Sequence, residues 1–177
     1  MLRGLSTLVL VAAIGSAAAC STAGRARPSP FPVPGGAAHG APAASVPAPP
    51  GTGSAVADLA LSYVGTPYRV GGATPAGFDC SGLVEYVFGR NGIPVPRTVA
   101  EQYAVGRKVK RDDLEPGDLV FFSTVTRGAS HVGISLGGDT FVHAPSGRGR
   151  VSVQHLSATY WSERYLGARR LGDGANW

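Results

Sequence analysis

The fifteen residues FDCSGLVEYVFGRNG, Phe78 to Gly92, set one thiol at the point where a helix begins. Downstream of Cys80 the apolar residues Leu83, Val84, Val87 and Phe88 recur at helical spacing, and Gly92 supplies a stop. Asp79 has the short acceptor side chain of an N-cap, which places Cys80 in the first turn. There the unpaired N–H groups and the positive end of the helix dipole favour a thiolate, and such surroundings lower a thiol's pKa. On this reading Cys80 is a nucleophile that reacts with iodoacetamide faster than a free thiol at pH 6. Taken alone, Cys80 is equally readable as a small buried core cysteine.

A thiol nucleophile needs a base, commonly an imidazole held by a third polar group. Four histidines are available. His39 lies in a Pro/Ala/Gly tract, whereas His131 and His143 each sit in a strand-like run. In Ser130–Leu136 the alternation puts Val132, Ile134 and Leu136 on one face and His131, Gly133 and Ser135 on the other. Gly137-Gly138-Asp139 then turns the chain into a return strand, Thr140–Ala144. The histidines are 12 residues apart, so a loop with an odd number of residues places both on one face of the hairpin. A three-residue loop centred on Gly137 would set them directly opposite, with one ring able to orient the other. Two histidines on one inferred face, with a helix-start cysteine upstream, favour catalysis over core packing.

FDCSGLVEYVF, SHVGISLG and FVHA, preceded by GTPYRVGG, resemble the NlpC/P60 cysteine peptidases, which cut the peptide stems of bacterial cell walls. The likeness covers residues 55–171. The order of the motifs, with 51 residues from Cys80 to His131 and 12 more to His143, is similar to that of the family's lipoprotein members. The resemblance implies a papain-like α+β fold in which the nucleophile helix packs on an antiparallel sheet. It implies Cys80 as nucleophile, His131 as general base and acid, and His143 as the residue orienting His131. It further implies that Tyr68 lines the site and helps position substrate or the oxyanion. Peptidoglycan is the implied partner, the bond between D-glutamate and the diamino acid is the implied target, and no cofactor is needed. The C-G-[SA]-C-[WY] signature of papain itself is absent. Amidase cleavage at N-acetylmuramoyl-L-alanine or acyl transfer would use the same three residues. An anchored wall-binding protein with an inert Cys80 is the non-enzyme alternative. A zinc site built from Cys80, His131 and His143 lacks the paired short spacings of structural zinc sites, so no metal is expected.

Outward from this centre, helices come early and strands late, which argues for an α+β domain with an antiparallel sheet. Ser54 reads as the N-cap of a first helix carrying Val56, Leu59, Ala60, Tyr63 and Val64, with Gly65 as its stop. The glycine-rich stretch 71–77 reads as a loop closing the site. Thr98-Val99-Ala100-Glu101 is a capping box that opens a third helix running to about Val105. Arg97 just before it suits a carboxylate partner more than a substrate contact. Leu114–Asp118 reads as a turn before the apolar strand Leu119–Phe122, and Arg107–Arg111 as a solvated turn. Val151–His155 reads as a further strand with His155 at its surface, and Leu166–Leu171 as a segment closing the sheet.

The N-terminus carries an export pattern. Arg3 precedes a 15-residue run of apolar and small residues, Leu5 to Ala19, shorter than the about 20 residues of a span and suited to a signal peptide over residues 1–19. Cys20 directly after Ala18-Ala19 resembles a lipobox, in which cleavage leaves a lipidated cysteine and a membrane anchor. Ala17 stands where the lipobox prefers Leu, and plain cleavage after Ala19 would give a secreted or periplasmic protein. The lipoprotein reading implies an envelope membrane, the outer membrane facing the periplasm in a Gram-negative cell. With Cys20 acylated, Cys80 is the sole thiol, and a disulfide between them would staple nothing. Residues 20–54 read as a linker: positions 21–54 hold eight of the fourteen prolines and one aromatic residue, too little apolar surface to fold. Fully extended, it could reach on the order of 100 Å. Residues 55–172 are then the catalytic domain and 173–177 a tail.

Charge discriminates weakly. The chain carries a net +5, while residues 55–172 hold 13 basic and 10 acidic residues. That balance suits an anionic envelope. The basic residues are scattered rather than gathered on a stripe, and with export this argues against nucleic acid as a partner. No residue pattern identifies an adaptor or activator protein.

Overall fold

The computed structural model describes residues 52–172. The expected signal peptide, Cys20, nearly all of the expected linker and the expected tail lie outside the described residues. Helix α1, Thr52–Ser62, buries Val56, Ala57 and Ala60 and is followed by Gly65 at φ +94°. Ser54 therefore lies inside the helix and not at its cap. The helix begins three residues earlier because Gly53 fits directly against the backbone of Pro116, where a Cβ would collide with the carbonyl oxygen.

The glycine-rich stretch expected as a loop is a small hairpin of β1, Ala73–Thr74, and β2, Gly77–Phe78. It feeds α2, Cys80–Arg90, which buries the predicted stripe Leu83, Val84, Val87 and Phe88. Asp79 caps α2, its Oδ1 accepting from the Gly82 N–H at 2.7 Å. At the far end Gly92, at φ +77°, allows Ile93 N–H to reach Phe88 O at 3.0 Å and Gly92 N–H to reach Gly89 O at 3.1 Å. This pair of bonds is a Schellman stop. Helix α3, Val99–Ala104, opens with the expected capping box of Thr98 and Glu101.

Six strands follow: β3 Arg107–Val109, β4 Pro116–Phe122, β5 His131–Leu136, β6 Thr140–His143, β7 Ser152–His155 and β8 Tyr165–Arg170, with the single turn α4, Thr159–Ser162, before β8. They form one antiparallel sheet in the order β3-β8-β4-β5-β6-β7. Two readings change here. Arg107–Val109 is an edge strand and not a turn: its two basic residues are exposed while Val109 points inward, and charged residues on an edge discourage pairing with other chains. The terminal segment lies inside the sheet, between β3 and β4, where Arg170 clamps buried Asp118 with two contacts of 2.7 and 2.8 Å.

Both faces of the central strands are covered. One face, with Leu119, Phe121, Val132, Ile134 and Val142, packs against α1 and α2. The other, with Val120, Phe122, Phe141 and Ala168, packs against Leu156 and Trp161. His131 faces away from the Val132 row, as the alternation predicts, yet it is buried, because α4 covers that second face.

The join between α2 and the β1–β2 hairpin is tight enough to make a prediction. A Cβ on Gly82 would run into the carbonyl oxygen of Gly72, a backbone atom that cannot swing aside and that also accepts the Asp79 N–H at 2.9 Å. Gly82→Ala is expected to cost about 3 kcal/mol, at the upper end of ordinary overpacking. Gly89→Ala on the same helix meets nothing within 4 Å, and its higher helix propensity should add up to about 1 kcal/mol. Urea midpoints of the two variants should move in opposite directions, and equal midpoints would contradict the tight join.

Candidate active site

Asp79 organises the start of α2. Its Oδ2 accepts from Arg97 Nη2 at 2.6 Å and from the Gly71 N–H at 3.0 Å, while Oδ1 caps the helix. Arg97 also donates from Nη1 to Ser81 Oγ at 2.7 Å, so its role toward a carboxylate is the one formed. Fully buried Gln102 donates to Ser81 O at 3.1 Å and Pro96 O at 2.7 Å, tying α3 to the residue next to Cys80.

Cys80 is a free thiol, half-buried, at the first position of α2. Burial pushes the thiol up from its ordinary pKa, and the Asp79 carboxylate pushes the same way. The backbone N–H groups of Val132, Ser81 and Cys80 pull it down without prevailing. The expected lowering by the helix start is thus reversed: the donors are in place, but loss of water outweighs them. The resting group is a neutral thiol. Alkylation of Cys80 by iodoacetamide is accordingly expected to be slow at pH 6 and to climb with a midpoint above that of a free thiol. A rate already at its plateau at pH 7 would contradict this.

His131 and His143 meet as a buried pair, Nε2 of the first 2.7 Å from Nδ1 of the second. They are not directly opposite. The β5–β6 register pairs Ile134 with Val142 and Ser135 with Phe141, which centres the three-residue loop on Gly138 and sets His143 across from Gly133. The rings are therefore diagonal neighbours on one face, within reach across the strands, and Gly133 makes room for the Phe141 ring, which a Cβ there would meet at 2.6 Å. The ring planes stand at 87° with centroids 5.0 Å apart. Burial lowers His131 to about 4. His143 is lowered further, by burial first and then by the charges of His131 and Arg148. At neutral pH both imidazoles are neutral. Among the hydrogen bonds of the described residues, His131 is joined to His143 and not to Cys80. The thiol approaches that strand at Val132, one residue on. Catalytic hydrogen bonds commonly tighten only with substrate bound.

Trp161 was not marked by the sequence reading. It stacks on His131 at 5.6 Å and 25°, meets His143 edge-on at 4.9 Å, and rests on Phe122 and Phe141. Its signal is faint: a Tyr160-Trp161 pair in a polar stretch, on a helix of four residues too short to show a period. Tyr68 lies near enough to Cys80 and Asp79 for their charges to raise its hydroxyl, after burial, so it stays a protonated donor at neutral pH. Its backbone N–H donates to Gly149 O at 2.8 Å. His155 sits apart, exposed beside Asp139 at 3.3 Å. Among the described residues no three His, Cys, Asp or Glu side chains are grouped to hold a metal, and the facing nitrogens of the two histidines are bonded to each other.

The model of the NlpC/P60 family matches residues 65–170 of the chain. The gamma-DL-glutamyl hydrolase of Bacillus subtilis is 45% identical over 121 residues, which is 67% of this chain and 29% of that protein. The murein DD-endopeptidase MepS/murein LD-carboxypeptidase of Escherichia coli K12 is 40% identical, over 67% of this chain and 62% of its own. The chain thus matches less than two thirds of the length of either relative. Among solved structures, a lipoprotein-like NLP/P60 family protein of Staphylococcus aureus is 34% identical with a TM-score of 0.63, over 73% of this chain and 44% of that one. The NlpC/P60 domain of the peptidoglycan hydrolase SagA is 33% identical with a TM-score of 0.60, over 67% of this chain and 98% of that one. With more than half of its length matched by the family's model, and an α+β fold shared with these structures, the chain belongs to the NlpC/P60 family.

Proposed function

We propose that the protein hydrolyses amide bonds in the peptide stems of peptidoglycan by thiol acyl transfer, with Cys80, His131 and His143 as the working residues. The observation that carries this reading is the buried 2.7 Å bond between His143 and His131, the latter on the strand that also meets the Cys80 thiol. Because Nε2 of His131 faces His143, Nδ1 is the nitrogen left to take the thiol proton. Both groups rest neutral, so the proton moves as Cys80 Sγ attacks the carbonyl carbon and not before. The oxyanion is received by the N–H groups at the start of α2 and by the Tyr68 hydroxyl. His143 accepts from the His131 imidazolium and steadies it. His131 then protonates the leaving nitrogen, the C–N bond breaks, and a thioester remains on Cys80. Water, giving a proton to His131, cleaves the thioester and restores the thiol. The names of the relatives cover a glutamyl bond and a DD bond. We place the cut between D-glutamate and the diamino acid.

Mass spectrometry of defined stem peptides and purified wall fragments tests this. Products cut between the second and third stem residues, absent with Cys80→Ala, support it. Release of an intact stem from glycan would make the protein an amidase. Intact substrates beside a folded, reactive Cys80 would overturn the hydrolase reading.

The Ala18-Ala19-Cys20 stretch and the proline-rich residues after it support export, lipidation at Cys20 and anchoring to an envelope membrane, with the linker letting the enzyme reach the wall. In cells, Cys20→Ala should shift the protein from the membrane fraction to the soluble one, and an unchanged partition would refute the anchor.

A further inference from the structure

Beyond the histidines lies a cavity of about 340 Å³, lined by a buried residue with an unpaired ring nitrogen and by a cation that has no counter-ion among the described residues. The buried residue is His143. It is 1% exposed, and its Nε2 makes no hydrogen bond. For His131 to receive the thiol proton on Nδ1, its Nε2 must carry hydrogen and donate to His143 Nδ1. Neutral His143 then carries its own hydrogen on Nε2. A buried N–H left unpaired is costly, and His143 lines the cavity. The cation is Arg148, exposed on the turn Ser146–Arg148 and lining the same cavity, with no ion pair among the described residues. Trp161 and Tyr160 supply apolar walls, Gln154 and Ser146 are neutral, and among the described residues no Asp or Glu lines the space to repel an anion.

We propose that this cavity is a carboxylate subsite for the leaving-group side of the substrate, in which Arg148 pairs with the carboxylate and His143 Nε2–H donates to it. The inference rests on the acyl-transfer reading of Cys80, His131 and His143. The side is set by His131: it lines the cavity and must protonate the departing amine, so the residue bearing that amine lies toward Arg148. The turn carrying Arg148 is anchored beside the thiol, since Gly149 O accepts from Tyr68 N–H at 2.8 Å and Val151 N–H donates to Thr66 O at 2.8 Å. With the subsite filled, a chain of hydrogen bonds runs from the carboxylate through His143 to His131. The carboxylate only accepts and stays ionised, and no proton leaves His143. Such a chain stabilises the His131 imidazolium as it forms, so the carboxylate raises turnover as well as binding.

The experiment compares two peptides that differ by a free carboxylate or a carboxamide on the residue whose amine departs. With the full chain the carboxylate peptide should be cleaved with kcat/KM about 10- to 100-fold higher, part of it in kcat, as charge-assisted bonds allow. In Arg148→Gln the ratio should fall to about threefold or less. A ratio near one in the unmodified chain, or a ratio that survives Arg148→Gln, overturns the subsite. A second readout needs no turnover: ¹⁵N-histidine spectra of the Cys80→Ala chain titrated with the amine product. The His143 Nε2 resonance should shift saturably with the carboxylate product and not with the carboxamide. A shift without cleavage would sink the hydrolase reading and leave the subsite standing. Cleavage without a shift would do the reverse.

Discussion

Cys80→Ala is expected to lower turnover of stem peptides by about 10⁴-fold or more while leaving the protein folded. The size follows from the chemistry: with the sulfur gone no covalent intermediate forms, and the oxyanion donors and substrate contacts left behind supply only residual rate. Folding is insensitive because the thiol is only half-buried and forms no disulfide. The helix start is held by other groups, namely Asp79 through its cap and Arg97, and Gln102 through Ser81 O. The urea midpoint of Cys80→Ala should therefore stay within about 1 kcal/mol of the parent, given how little apolar area changes. Substantial activity in Cys80→Ala would remove the nucleophile from the account, and an unfolded variant would show that Cys80 serves the core.

Trp161→Ala should produce the largest combined effect of any single change outside the triad. Trp161 is 8% exposed and touches His131, His143, Phe122 and Phe141 at once. Removing a buried indole costs about 3–5 kcal/mol, a large share of the roughly 5–15 kcal/mol that holds a domain of this kind. Opening that face would also let water reach the two imidazoles. Their lowered pKa values come chiefly from burial, so in Trp161→Ala both should rise toward the ordinary range. The sign follows: with His131 near 4 the base is free at pH 6, whereas a raised value leaves more of it protonated and inactive there. Trp161→Ala should lose activity more steeply at pH 6 than at pH 8, and Trp161→Phe, which keeps an aromatic face, should recover most of both losses. A variant as stable as the parent with an unchanged pH profile would show that the indole is incidental.

Where local chemistry decides, the chain was readable. Asp79, the stripe Leu83–Val84–Val87–Phe88 and Gly92 dictate a capped helix within a few residues of one another, and α2 forms as they require. The even spacing of His131 and His143 placed them on one face because the strand period is two. The centre of the loop was not readable to the residue: Gly137 and Gly138 both take positive φ, at +91° and +58°, and composition does not choose between them. Features set by distant packing were out of reach. Gly53 starts α1 early because of Pro116, 63 residues away. Arg107–Val109 becomes a strand because Ala168, Arg169 and Arg170 come to pair with it. The Cys80 thiol is raised because the fold removes water that the local sequence would have left. Trp161 reaches the histidines only after α4 folds over the sheet.

The claim on which the rest depends is that Cys80 carries the acyl group. Rapid quenching in acid of the full chain with a stem peptide, followed by intact-mass and peptide-level mass spectrometry, tests it. The account predicts an adduct on Cys80 equal to the acyl half of the peptide minus water. That adduct should appear before product, decay as product grows, and be released by hydroxylamine as a thioester is. Turnover with no adduct at any time, or an adduct on another residue, would contradict it.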